Sequence, residues 1–219
     1  RTAGRLAMPI FAWYIARGYS RTRNPVKYFI RITSFALISE ILLRLVHDQA
    51  GLSWPSMNIL VTFALAIVLI AGYHLALHSY LDMLASLQPV TPAASALPAK
   101  NRYDVRVNLG GIELHPRTGL IMGSLMIIAA IAATVWLNPD YSLYGIFTVA
   151  VFYIVQDRIR EEDQQKRSLQ MFILLNAFFL LFRIIEGIVP FDWAVLQCFS
   201  IAAVPLFSRI SEGRRPSWP

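Results

Sequence analysis

Two pairs of opposite charges stand inside otherwise apolar sequence: Glu40 with Arg44, four residues apart, and Arg183 with Glu186, three apart. At these spacings the partners share one helix face and can pair there. A carboxylate in an apolar surround can take the proton from an attacking amine or hydroxyl, and a guanidinium can offset a developing oxyanion. Ionisable groups within apolar spans are costly and mark functional sites by default. The same residues also suit structural ion pairs or side chains that snorkel to an interface. Arg5, Asn58, Thr62, Asp140 and Tyr141 add polar groups near the ends of other apolar runs. His74 and His78 have the spacing of two metal ligands on one helix face. No third ligand supports them, so an interfacial role is expected and no metal. His47 is a further acid/base candidate.

These groups need elements to hold them. Of the 219 residues, 56% are hydrophobic and 15% charged, where a soluble domain carries about 25% charged residues. Mean hydropathy is +0.52. Such a composition excludes a disordered chain and argues against an ordinary soluble domain. A membrane span needs about 20 mostly apolar residues. Seven segments approach this: Ala3–Tyr19, Tyr28–His47, Met57–His78, Thr118–Leu137, Tyr141–Gln156, Ser168–Ile188 and Trp193–Phe207. None sustains a period-two alternation, and backbone facing lipid must satisfy its own hydrogen bonds, which favours helices. The expected fold is an all-α integral membrane protein, a bundle of about seven transmembrane helices. It forms one domain over 1–219, with a cytoplasmic loop insertion at about 85–117. Within that insertion YDVRV, NLGG and IELH could form a hairpin, or the whole stretch could be a connector.

The loops set the orientation. Basic residues cluster in alternate connections: Arg21, Arg23 and Lys27; Lys100, Arg102, Arg106 and Arg117; the run DRIREEDQQKR; and Arg209, Arg214 and Arg215. The intervening loops HDQAGLSWPS, NPD and VPFD hold no Lys or Arg. Cytoplasmic loops are enriched in these residues. The pattern therefore places the C-terminus inside and explains the net charge of +7 without nucleic acid. It also places Arg1 outside, so one further helix upstream is expected. On this topology Arg5, Glu40, Arg44, Asn58, Thr62, Asp140, Tyr141, Arg183 and Glu186 all fall in the outer half of the membrane. A polar cavity opening outward is the expectation. Trp54, Trp136 and Trp193 read as interfacial anchors. The single cysteine, Cys198, excludes an internal disulfide. No Walker loop, GxGxxG, HExxH or paired CxxC is present.

The stretch GRLAMPIFAWYIARGYSRTRNPVKYFIRITSFALISE resembles the TraX family of bacterial integral membrane proteins. Its pattern falls on Gly4, Arg5, Pro9, Phe11, Gly18, Thr22, Asn24, Tyr28, Arg31, Ser39 and Glu40. Asn58 and Thr62 match the family's Asn-led third segment, and Asp140, Tyr141 and Gly145 match its Asp-Tyr helix. The resemblance implies a membrane-bound acyltransferase of the bacterial inner membrane, with acetyl-CoA as donor and pilin or another envelope component as acceptor. Acyl transfer needs a general base and a stabiliser of the oxyanion, and in this chain Glu40 is the best base candidate and Arg5 or Arg44 the best electrostatic stabiliser. Asn58, Thr62, Asp140, Tyr141, Arg183 and Glu186 would then meet substrate, and Arg21, Arg23 and Lys27 would hold the donor's phosphates. Family members usually carry an upstream Asp-His helix and a final Tyr-Pro-x-His helix, and neither motif occurs between Arg1 and Pro219. Two other readings compete: a transporter whose buried charges line a path, and a non-catalytic membrane assembly protein. Internal symmetry would favour the first, and it is not visible.

Overall fold

The structure is a computed structural model and describes residues 2–51, 57–87, 115–185 and 200–203. The helices are α1 (Thr2–Arg21), α2 (Pro25–Gln49), α3 (Ile59–Leu87), α4 (Pro116–Leu137), α5 (Ser142–Arg158) and α6 (Glu161–Ile185), followed by a 3-10 turn at Ser200–Ala203. Among the described residues every regular element is helical, and one isolated parallel bridge joins Met57 to Pro139. The all-α expectation holds for these residues. The possible hairpin, Trp54, Trp193, Cys198, Glu186 and most of the seventh apolar segment lie outside the described residues.

Two helix boundaries differ from the sequence reading. Helix α3 runs on to Leu87, past the expected end at His78. Ser79, Asp82 and the residues between them are ordinary helix formers with no breaker among them, so the helix outlasts its apolar stretch. Helix α6 starts at Glu161, well before Ser168, and takes most of the charged run into its first turns. Only Ile159 and Arg160 separate it from α5. The joint is closed by Gln164, whose Nε2 donates to the carbonyls of Gln156 at 3.2 Å and Ile159 at 2.9 Å.

The chain forms two compact units. One holds Arg1–Arg21 and Asp140–Pro219, the other Thr22–Pro139. In the first, α1 packs on α5, and α5 on α6. Met8, Ala12, Trp13, Ala16 and Tyr19 form the buried stripe of α1, recurring at helical spacing. Opposite them α5 buries Ile146, Val149, Phe152 and Tyr153. Trp13 meets Phe152 edge-on at 5.6 Å, and Tyr19 meets Tyr153 edge-on at 5.4 Å. Helix α5 is apolar on nearly every side because it is covered on nearly every side.

In the second unit α3 packs against α2 and α4. The α3–α4 contact is made by small residues. A methyl group on Gly72 would stand 2.7 Å from the Gly123 carbonyl, and one on Gly123 would stand 2.6 Å from the Ala76 nitrogen. Gly119 and Gly123, four apart, let the backbones approach as closely as membrane helices do. The rest of α4 faces outward: Ile121, Leu125, Ile128 and Val135 are exposed, and Trp136 is 84% exposed. Helix α2 is alike, burying Ala36 while Phe35, Leu37, Ile38, Ile41 and Leu42 stay open. Apolar surface of that extent is foreign to a soluble monomer and normal against lipid. Among the described residues, two helical stretches, Ile59–Leu84 and Pro116–Leu137, are long and apolar enough to cross a membrane.

Candidate functional site

The second unit assembles a polar network where α2 passes the start of α3. Its frame is set by two helix starts. Asn24 caps α2, accepting the Lys27 N–H on its Oδ1 at 3.0 Å, with Pro25 following it in the first turn. That cap is a common solution for the first unpaired amides, and Pro at the first position costs nothing there. The Thr22 hydroxyl supports it, donating to the Asn24 carbonyl at 3.3 Å and accepting the Asn24 N–H at 3.4 Å. Asn58 does the same for α3, accepting the Leu60 N–H at 3.2 Å. Four turns along α2, the face that meets α3 therefore arrives beside a capped helix end.

Glu40 stands at that meeting point. Its Oε1 accepts from Arg44 Nε at 2.9 Å, the i,i+4 pair that the spacing suggests. Its Oε2 accepts the backbone N–H of Asn58, also at 2.9 Å. The Asn58 side chain closes the circuit, with Nδ2 donating to Ser39 Oγ at 2.7 Å. Ser39 in turn donates to the Ala36 carbonyl at 3.0 Å. The Glu40 side chain is only 16% exposed, whereas that of Arg44 is 45% exposed. So the anion is sheltered and its cation stands at the rim. A carboxylate at the positive end of a helix, paired with a guanidinium, is stabilised from two directions. Each oxygen has lone pairs beyond the single bond it accepts, so the group can accept further hydrogen bonds.

The other sequence candidates are placed as follows. Thr62, one turn beyond Asn58, is fully buried. Arg21, Arg23 and Lys27 are exposed at the α1–α2 turn. Arg5 lies in α1 and Arg183 in α6. Asp140 is exposed in the turn before α5. Tyr141 caps α5 with a positive φ of 63°, between Asn138 at 43° and Ser142 at 39°. Left-handed backbone suits Asn but strains Tyr and Ser, so this turn is held by its surroundings. Arg5, Asp140, Tyr141 and Arg183 belong to the first unit, and Glu40, Arg44, Asn58 and Thr62 to the second. His74 and His78 do share a face, with ring centroids 4.2 Å apart. Among the described residues no group of three His, Cys, Asp or Glu side chains could hold a metal. His47 Nδ1 lies 2.9 Å from the Leu43 carbonyl.

Two features escape a reading centred on charges. Ser39 is part of the network although it carries none. In the first unit, Tyr144 donates to Asn176 Oδ1 at 3.2 Å, and Asn176 Nδ2 donates to the Phe172 carbonyl at 2.8 Å. Asn176 and Thr148 are buried there. An Asn within the apolar run FILLNAFFLLF was the available signal, since a neutral amide in such a run also needs a partner.

No curated protein and no solved structure matches the chain. Residues 1–83, which contain Ser39, Glu40, Arg44, Asn58 and Thr62, match the family model described as TraX protein. The match agrees with the resemblance carried by Gly4 through Glu40, and it stops short of Asp140, Tyr141 and Gly145.

Proposed function

We propose that the protein is a membrane-embedded acyltransferase of TraX type. It moves an acetyl group from acetyl-CoA, supplied from the cytoplasm, to an amine or hydroxyl of an envelope acceptor such as pilin. The observation that carries this reading is the sheltered Glu40 carboxylate, shared between Arg44 and the start of α3, within the residues that match the TraX family model. In the step, the acceptor nitrogen or oxygen attacks the thioester carbonyl carbon. Glu40 takes the acceptor's proton, and the Arg44 charge offsets the oxyanion. The tetrahedral adduct then collapses, the carbon–sulfur bond breaks, and CoA leaves as the thiolate. Arg5 is a second candidate for the stabilising charge. Thr62, Asp140, Tyr141, Arg183 and Glu186 are the proposed acceptor side, and Arg21, Arg23 and Lys27 the proposed contacts for CoA phosphates.

The proposed setting is the bacterial inner membrane, crossed by seven spans within one domain, with the C-terminus in the cytoplasm. The exposed apolar faces of α2 and α4 support a lipid surround, and the one-sided Lys and Arg pattern supports the orientation. The test is transfer of radiolabelled acetyl from acetyl-CoA to protein in membrane vesicles bearing the full chain. Incorporation that depends on Glu40 is expected. Equal incorporation in vesicles with and without the protein would overturn the reading.

A further inference from the structure

Asn58 and Ser39 are hydrogen-bonded to each other and to the backbone. An Asn amide offers an acceptor oxygen and a donor nitrogen. Here the oxygen accepts from Leu60 N–H at 3.2 Å and the nitrogen donates to Ser39 Oγ at 2.7 Å. The Ser39 hydroxyl accepts that bond and spends its proton on the Ala36 carbonyl at 3.0 Å. This locks the Asn58 peptide group against α2, and its N–H is thereby aimed at Glu40 Oε2. In a capping box, a Glu three residues into a helix reaches back to the amide of its own N-cap residue. Glu40 takes that position from a neighbouring helix instead. The carboxylate is thus fixed by Arg44 from its own helix and by Asn58 from the next.

We infer that Ser39 and Asn58 are positioning residues, which hold the Glu40 carboxylate in its reactive place through the Asn58 peptide N–H and do not themselves touch substrate. The inference rests on the acyl-transfer reading for its kinetic consequence, but its structural part stands apart from it. It replaces the role of substrate contact that the sequence gives Asn58, and it assigns a role to Ser39.

Ser39→Ala deletes the acceptor of the Asn58 amide, and Asn58→Ser keeps a capping oxygen while deleting the donor. Both are tested in the full-length protein, with acetyl-CoA as donor and a short peptide amide bearing a free α-amine as acceptor. Each variant is expected to lose kcat by on the order of tenfold or more, as small misplacements of a catalytic group do, with KM for both probes unchanged. The double variant should lose no more than the worse single one, because both changes cut the same link. Ser39→Thr, which keeps the hydroxyl, should restore most of kcat. A rise in KM with kcat intact would make these side chains substrate ligands and overturn the inference.

A second measurement does not need activity. Dicyclohexylcarbodiimide modifies carboxyl groups in apolar surroundings, and its attachment to Glu40 is read by mass spectrometry. Ser39→Ala and Asn58→Ser are expected to change the labelling rate of Glu40 severalfold, and Ser39→Thr to leave it near that of the parent. Unchanged labelling in both deletion variants overturns the inference even if transfer is observed. Changed labelling without any acetyl transfer keeps the positioning role and removes the acyl-transfer reading.

Discussion

Glu40 and Asn58 stand on different helices, yet the Glu40 Oε2 accepts the Asn58 peptide N–H at 2.9 Å. That bond ties the middle of α2 to the first turn of α3 and makes a catalytic candidate part of the fold. Chemistry and stability therefore have to be separated when Glu40 is changed.

Glu40→Gln keeps the shape but removes the charge. Loss of a general base typically costs about 10²–10⁴-fold, so acetyl transfer should fall by at least that lower bound. The Asn58 N–H can still find the amide oxygen, so the loss of stability should be limited to about 1–2 kcal/mol, the scale of one weakened charge-assisted hydrogen bond. Transfer assays and thermal unfolding in detergent, run on one preparation, measure the two effects. Full activity in this variant would remove Glu40 from the mechanism.

Arg44→Lys tests the rim cation. Lysine keeps the charge but not the planar fork that places Nε on Glu40. Because the Arg44 side chain is 45% exposed, solvent screening holds its effect on stability to about 1 kcal/mol or less. Transfer should nonetheless drop measurably, and Arg44→Leu should drop it further. Kinetics and unfolding midpoints for the two variants give the comparison.

Gly123→Leu should be the most disruptive change in the second unit. Even a methyl group would meet the Ala76 nitrogen at 2.6 Å and the Gly72 carbonyl at 2.6 Å, and backbone atoms cannot swing aside as a side chain does. Overpacking of this kind costs about 1–3 kcal/mol and can exceed that. Leu125→Ala, on the exposed face of α4, should have little effect. Unfolding of the two variants in detergent tests whether the α3–α4 contact is as close as described.

Tyr144→Phe should destabilise the first unit by about 1 kcal/mol, because it removes the hydrogen bond that Tyr144 donates to Asn176 Oδ1, the net worth of one such bond. Asn176→Leu removes the same bond from the other side, so the double variant should lose less than the sum of the two single losses. A double-mutant cycle by thermal unfolding measures the coupling.

For topology, single cysteines are placed in a Cys198→Ser background. Cysteine at Asp48 or Asp140 should react with a membrane-impermeant maleimide from outside intact cells. Cysteine at Arg23 or Arg160 should react only after permeabilisation. The reverse pattern would invert the proposed orientation and detach the site from the periplasmic side.

Much of this protein is set by the order of residue types alone. Long apolar runs separated by breakers and polar turns require helices, and the Thr22–Asn24–Pro25 turn shows a helix start at the level of single residues. The Glu40–Arg44 pair needs only the helical repeat, so spacing was enough to find it. The proposed orientation likewise rests on the distribution of Lys and Arg along the chain, a one-dimensional property. Contacts between helices are different. That Asn58, 18 residues from Glu40, supplies its second donor follows from how α2 lies against α3, and no local periodicity encodes it. The same holds for Tyr144 with Asn176, and for Gly72 with Gly123, where backbone meets backbone. Helix α3 likewise ends at Leu87, beyond the apolar run that hydropathy marks, because a helix continues while its hydrogen bonds do, whether or not its residues remain apolar.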